Sequence, residues 1–248
     1  MKKALSILLI LALVTSCVRH ERISSEVGAL HSSEELELGA QIHRKILDSF
    51  QIYTESILNV YVNEIGNKVA EKAERKDLRY TFVILDDDRI YATHAPGGFV
   101  YITIGFFVFL VSEIELAGVL AHEIGALQYK DPELSKAKRA FDRLLQVGSY
   151  IGPAFGSIGA LSLMGLMLAG LAVGRERSLE DQVYDADKKA LSYMVDSGFD
   201  PQGLINPLRR MQDPDPRFKP YLFDYLQSHP VNAERFAKLE KEFGRLPI

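Results

Sequence analysis

The chain has 248 residues, of which 47% are hydrophobic and 25% charged, a composition typical of a single globular domain with a sizeable core. Its net charge of −4 excludes a broadly basic surface, so we expect no nucleic-acid partner.

Residues 1–16 have the features of a secretory signal peptide. Lys2 and Lys3 form a short positive region, and an apolar run from Ala4 to Val14 follows. This run is too short to span a bilayer comfortably, which favours a cleaved signal over a membrane anchor.

The sequence around Cys17 resembles the cleavage site of bacterial lipoproteins. Small residues precede this single cysteine in the stretch Val14-Thr15-Ser16-Cys17. The pattern predicts cleavage before Cys17 and its acylation, so that lipid holds the protein on the periplasmic face of a bacterial membrane. Val18, in place of an aspartate, favours the outer membrane by resemblance to enterobacterial sorting. The alternative is a cysteine that merely falls near an ordinary cleavage site.

Residues 17–31 are interpreted as a tether and residues 32–248 as one folded domain. Capping patterns and hydrophobic periodicity predict two helices and then two strands in the first part of this domain. They span residues 32–50 (opened by Ser32 and Glu35), Thr54–Arg75, Tyr80–Leu85 and, after the turn Pro96-Gly97-Gly98, Phe99–Ile104.

A third helix is predicted from Ser112 to about Tyr129, because Ser112 and Glu115 have the spacing of a capping box. It contains the sequence HEIGA, which is an incomplete zinc-peptidase signature HExxH. In that signature two histidines on one helix face bind a zinc ion, and the glutamate between them activates a bound water. His122 and Glu123 are present, but Ala126 stands where the second histidine belongs.

Residues 144–174 contain no charged side chain and seven glycines. The segment is long enough to span a membrane, but Pro153 and the glycines interrupt a simple span. We interpret it as an apolar cover over the cleft or as an element that dips into the bilayer surface. A helix over Glu180–Val195 and further helical patterns follow, and the order helices, strands, helices predicts an α+β domain.

Five stretches, in order, resemble the HtpX-like and CAAX-prenyl-protease-like zinc metallopeptidases, particularly their periplasmic BepA-like lipoprotein branch. They are Pro96–Thr103 (PGGFVYIT), Glu115–Gly125 (ELAGVLAHEIG), Asp185–Asp187 (DAD, the end of an ExxAD motif), Ser197–Pro201 (SGFDP) and Ser228–Pro230 with Arg235 (SHPxxxxR). The resemblance implies a gluzincin-like metallopeptidase domain, mostly helical, with a small sheet whose edge strand borders the active-site cleft.

The resemblance also implies the roles of individual residues. The family binds zinc through both histidines of HExxH and the glutamate of ExxAD. His122 is then the retained ligand and Glu123 the general base, whereas Ala126 and Val183 occupy the other two ligand positions without a ligating atom. Asp187 matches the aspartate that supports the first histidine.

Two further features follow from the same resemblance. His229 matches a loop histidine that in some relatives reaches the metal. The segment formed by Gly97, Gly98, Phe99, Val100 and Tyr101 is expected to be the edge strand that binds an extended polypeptide substrate.

The lost ligands favour a pseudoprotease that binds polypeptide in envelope quality control and holds zinc weakly or not at all. The alternative is an active zinc endopeptidase in which His94, His122, His229 and an acid such as Asp185 or Glu180 form a substitute site. A third hypothesis is a scaffold that binds partners through residues 144–174.

Overall fold

The computed structural model of the chain describes residues 33–128 and 178–247. The signal peptide, Cys17, the tether and the apolar segment 144–174 lie outside these residues. The described elements are α1 (33–49), α2 (Ser56–Ala70), β1 (Thr81–Leu85), β2 (Ala92–Ala95), β3 (Phe99–Thr103), α3 (Ile104–Phe109), α4 (Glu113–Ala126), α5 (Leu179–Asp196), α6 (Gln202–Gln212), a 3-10 turn (Lys219–Tyr221), α7 (Phe223–Ser228) and α8 (Ala233–Phe243). The predominance of helices beside a small sheet confirms the α+β prediction.

The three strands form one sheet in the order β1-β3-β2. β3 pairs in parallel with β1 and antiparallel with β2, so it is the central strand. The expectation that residues 97–101 form the sheet edge is therefore wrong, because β2 lies outside them. β2 reads Ala-Thr-His-Ala and has little of the β-branched or aromatic character that marks a strand in sequence.

The turn between β2 and β3 depends on glycine. Gly97 and Gly98 have φ angles of 83° and 95°, a region that residues with a side chain rarely adopt. This turn folds β2 back beside β3 and makes a hairpin of the Pro-Gly-Gly sequence.

The central helix α4 begins and ends close to the predicted residues. It starts at Glu113, but Ser112 makes no capping hydrogen bond through its side chain. Glu115 instead accepts a hydrogen bond from the Val111 N–H at 3.0 Å and is held by Arg210 of α6 through two contacts of 2.6 Å. The predicted capping box is thus replaced by a buried carboxylate that joins α4 to α6.

α4 packs against α5, α6 and α2 and against strands β2 and β3 of the sheet. A Cβ atom at Gly118 would lie 2.6 Å from the backbone of Gly203 in α6, and one at Gly125 would lie 2.6 Å from the Ala186 carbonyl oxygen in α5. These glycines let the helices approach closely, and the approach at Gly125 brings His122 of α4 beside α5. Over the described ranges, no helix combines the length and hydrophobicity needed to cross a bilayer.

Candidate active site

His122 lies on the buried face of α4 and is oriented by an aspartate of α5. Its Nδ1 lies 2.8 Å from Asp187 Oδ1, and both residues are almost fully buried. An ionised carboxylate can only accept this hydrogen bond, so Nδ1 carries the proton and Nε2 is the nitrogen left to face a ligand. The structure therefore places Asp187 in the supporting position that the resemblance implied.

Asp187 is also paired with Arg235 of α8. Arg235 donates from Nε to Asp187 Oδ2 at 2.8 Å and from Nη2 to Oδ1 at 2.9 Å, and only 1% of this arginine is exposed. Burial by itself opposes ionisation of Asp187, but Arg235 and His122 outweigh it and lower its pKa to about 2. Arg235 belongs to the SHPxxxxR match, yet its role as the partner of Asp187 was missed.

Glu123 is fully buried and is contacted by histidines from two other parts of the fold. His94 of β2 donates from Nδ1 to Glu123 Oε2 at 2.8 Å. The other oxygen, Oε1, lies 3.3 Å from His229 Nε2 but has no hydrogen-bond partner. Burial opposes the charged form, but His229 and His94 outweigh it and hold the pKa of Glu123 below its usual range.

His229 follows α7 and completes the cluster. Its Nδ1 lies 2.9 Å from Ser228 Oγ, and its ring stacks on Tyr225 with centroids 4.2 Å apart. Burial is the main cause of its lowered pKa, which favours the neutral imidazole. Tyr225 was not foreseen from the sequence, although it precedes His229 by one helical turn.

The side chains at the two lost ligand positions cannot complete the zinc site of the family. Val183 is buried on α5 one turn before Asp187, and Ala126 follows His122 by one turn on α4. Neither side chain has an atom that can bind a metal, so His122 alone remains of the family's three ligands.

The acids considered for a substitute site lie elsewhere. Glu180 is exposed and its Oε1 lies 3.5 Å from Asn232 Nδ2, and Asp185 is half-buried. Within the described part of the chain, the group able to hold a metal consists of His122, Glu123 and His229.

The predicted substrate strand packs against α1 instead. Phe99 stacks on His43 with ring centroids 4.3 Å apart, and the Tyr101 hydroxyl lies 2.9 Å from His43 Nδ1. Both strand edges of β3 are occupied by β1 and β2. Among the described residues the strand next to the cluster is therefore β2, which carries His94.

The fold and the site together define a metallopeptidase-type domain, in which a central helix carries a His-Glu pair supported by a buried aspartate. The chain belongs to peptidase family M48, whose sequence profile matches residues 56–243. M48 is a family of zinc metallopeptidases.

Several named relatives are similar to most of this chain. The chain is 28% identical over 225 residues to the beta-barrel assembly-enhancing protease of Yersinia pestis, covering 87% of this chain and 45% of the relative. It is 26% identical to the protein of the same name from Escherichia coli K12, with 86% and 45% covered, and 23% identical to a putative one from Vibrio cholerae, with 89% and 46% covered. The chain thus spans about half the length of these relatives.

Proposed function

We propose that this protein is a pseudoprotease of the M48 family, which binds polypeptide in envelope quality control without hydrolysing it. One observation carries the proposal: His122 is the single family zinc ligand that remains, while Glu123 is engaged by His94. A general base must reach a water that a metal has made acidic. A carboxylate held by His94, beside an incomplete ligand set, does not meet that requirement.

Polypeptide binding is supported by the names of the relatives and by the position of β2. The Thr103 N–H donates to the Tyr91 carbonyl at 3.0 Å. From this pair, hydrogen-bonded and non-hydrogen-bonded residue pairs alternate along the antiparallel strands β2 and β3. The backbone groups of Thr93 and Ala95 therefore face β3, whereas those of Ala92 and His94 face away from it. Ala92 is buried and the His94 side chain is 31% exposed, so an extended segment would meet this edge at His94.

We also propose that the mature protein is anchored through lipid on Cys17 and lies on the periplasmic face of the outer membrane. This proposal rests on the sequence from Val14 to Val18. Such an anchor would place the domain where unfolded envelope proteins pass.

The absence of hydrolysis is tested with the purified full chain and casein in the presence of zinc. We expect no cleavage, and an unchanged result for Glu123→Gln. Cleavage by the wild type that disappears in Glu123→Gln would refute the pseudoprotease and establish the rival, an active endopeptidase with unusual ligands.

Polypeptide capture is tested with an unfolded outer-membrane β-barrel protein in a pull-down. His94→Pro removes the outward N–H of β2, whereas His94→Ala keeps this N–H and removes only the imidazole. We expect the wild type and His94→Ala to retain the unfolded chain and His94→Pro to lose it, with circular dichroism confirming that both variants fold. Equal capture by all three proteins would exclude binding at this edge.

A further inference from the structure

Three buried side chains with metal-binding atoms converge at the active-site position. One ligand atom each of His122, Glu123 and His229 lies within 4.8 Å of the other two. Neighbouring residues of a helix point roughly 100° apart, so the convergence of His122 and Glu123 on one point is not a consequence of their sequence spacing.

Each of the three side chains is oriented through its other polar atom. Asp187 accepts a hydrogen bond from Nδ1 of His122, and His94 donates to Oε2 of Glu123. Ser228 donates its hydroxyl proton to the Tyr225 carbonyl at 3.1 Å, and its oxygen therefore accepts from His229 Nδ1. Partners of this kind fix the ring orientation and tautomer of metal-binding histidines.

This arrangement directs lone pairs towards one another. His229 Nε2 and Glu123 Oε1 lie 3.3 Å apart, and Oε1 is a fully buried oxygen without a hydrogen bond. Two acceptors at this distance repel unless a proton or a metal ion lies between them, and an unpartnered buried oxygen is costly. Ligand atoms that share a tetrahedral ion with bonds near 2.1 Å lie about 3.4 Å apart, which matches the observed separation.

We propose that His122, Glu123 and His229 form a binding site for a divalent transition-metal ion, in which Glu123 is a ligand. This set differs from that of the family, where the glutamate of HExxH stays free as the base. Histidine nitrogen with one carboxylate oxygen suits zinc, cobalt or nickel. When Glu123 binds the metal, it can no longer act as the general base. Metal binding of this kind therefore agrees with a protein that does not hydrolyse peptide bonds. The proposal shares the site of the proposed function but does not depend on polypeptide capture.

The site is tested by titrating the metal-stripped full chain with Co²⁺ and recording its visible absorption, and with Zn²⁺ in competition with a chromophoric chelator. We expect one ion per chain, bound tightly enough to compete. Glu123→Gln and His229→Ala should each abolish the cobalt spectrum. His94→Ala should weaken binding about tenfold, since it removes only the residue that orients Glu123. Glu180→Gln changes an exposed acid outside the cluster and should bind like the wild type.

Three results would overturn the proposal. The first is a wild type that binds neither ion, which would show that the three residues form an ion-pair network only. The second is a cobalt spectrum unchanged in Glu123→Gln, which would return Glu123 to the role of a free base. The third is a loss of binding in Glu180→Gln equal to that in Glu123→Gln. Capture of unfolded polypeptide is measured separately in the presence of a chelator, so its failure is distinguishable from failure of metal binding.

Discussion

At the residue scale, Asp187 has two buried partners, because it orients His122 and neutralises Arg235. Among the described residues, the guanidinium of Arg235 pairs with no other acid. Its remaining hydrogen bond is donated to the Pro230 carbonyl at 3.2 Å. Desolvation makes such a pair sensitive to the loss of either member, since the remaining charge stays buried. The fold around the site therefore depends on this carboxylate, whether or not a metal binds.

We expect Asp187→Ala to lower the free energy of unfolding by about 3–5 kcal/mol, because Arg235 would be buried without a counter-charge. Urea denaturation followed by circular dichroism measures this change. Glu234→Gln is the matched control, since it breaks an exposed contact with Lys238 on the same helix and should leave the midpoint unchanged. Equal stability of Asp187→Ala and the wild type would show that the arginine finds another partner.

The missing ligands can also be restored. Ala126→His with Val183→Glu returns the two family ligands beside His122. Zinc bound by four ligands contributes roughly 10–16 kcal/mol, so two added ligands should raise zinc affinity by several orders of magnitude. Competition with a chelator measures the gain, and Ala126→Leu with Val183→Leu is the control. No increase over the control would show that α4 and α5 are held too far apart for the family site.

The sequence predicts individual residues of the site but not how they meet in the fold. The degenerate signature and Val183 were identified because ligand spacing on a helix is a local property. The bond between His94 and Glu123 joins residues 29 apart and depends on how β2 lies over α4. Such a contact is set by tertiary packing, and no spacing pattern in the sequence predicts it.

At the element scale, the contact between α4 and α5 positions the site. Gly125 lies against the Ala186 carbonyl, directly beside the His122–Asp187 hydrogen bond. In an isolated helix, alanine would be favoured over glycine by about 1 kcal/mol. For Gly125→Ala, helix propensity therefore favours the alanine, whereas the close packing against α5 opposes it.

We expect packing to decide, so Gly125→Ala should destabilise the protein by about 1–3 kcal/mol, because the new Cβ meets a backbone oxygen that cannot move aside. Thermal unfolding gives the stability. Gly244→Ala serves as the control, since its Cβ would meet nothing closer than 3.5 Å, an ordinary contact distance. A stabilised Gly125→Ala variant would mean that α5 moves away from α4 at low cost.

The sheet shows where element prediction fails. β1 and β3 were found from their β-branched and aromatic residues, whereas β2 was overlooked because its stability comes from pairing with β3. β2 occupies the strand edge at which a substrate is expected from the sequence. Side chains of β3 contact α1. Tyr101 is the clearest case, with 1% of its surface exposed and its hydroxyl beside His43.

Burial raises the pKa of Tyr101 above its ordinary value of 10.0. A raised pKa in the folded state gives stability that is present below about pH 10 and is lost as pH rises further, because only the unfolded chain then ionises readily. Tyr101→Phe should cost about 1 kcal/mol near neutral pH through the lost hydrogen bond. The difference in free energy of unfolding between Tyr101→Phe and the wild type should be smaller at about pH 11 than near neutral pH. Urea unfolding at both pH values tests this, and a deficit that stays constant would contradict it.

At the scale of the whole molecule, the proposals for the domain and for the membrane anchor are independent. The site belongs to residues 94–235, whereas the expected lipid attachment depends on residues 1–18. A domain that captures polypeptide needs no membrane to do so in solution. The anchor would instead determine which unfolded proteins the domain meets in the cell.

We expect the wild-type chain, expressed in an enterobacterium, to incorporate labelled palmitate and to sediment with the outer membrane. Cys17→Ser should abolish the label, because the hydroxyl cannot take part in the thioether linkage that lipoprotein processing requires. Val18→Asp should keep the label and move the protein to the inner membrane, which separates lipid attachment from sorting. Density-gradient fractions probed with antibody measure both changes. Palmitate incorporation that persists in Cys17→Ser, or a wild type without label, would show that Cys17 only happens to lie near an ordinary signal cleavage site.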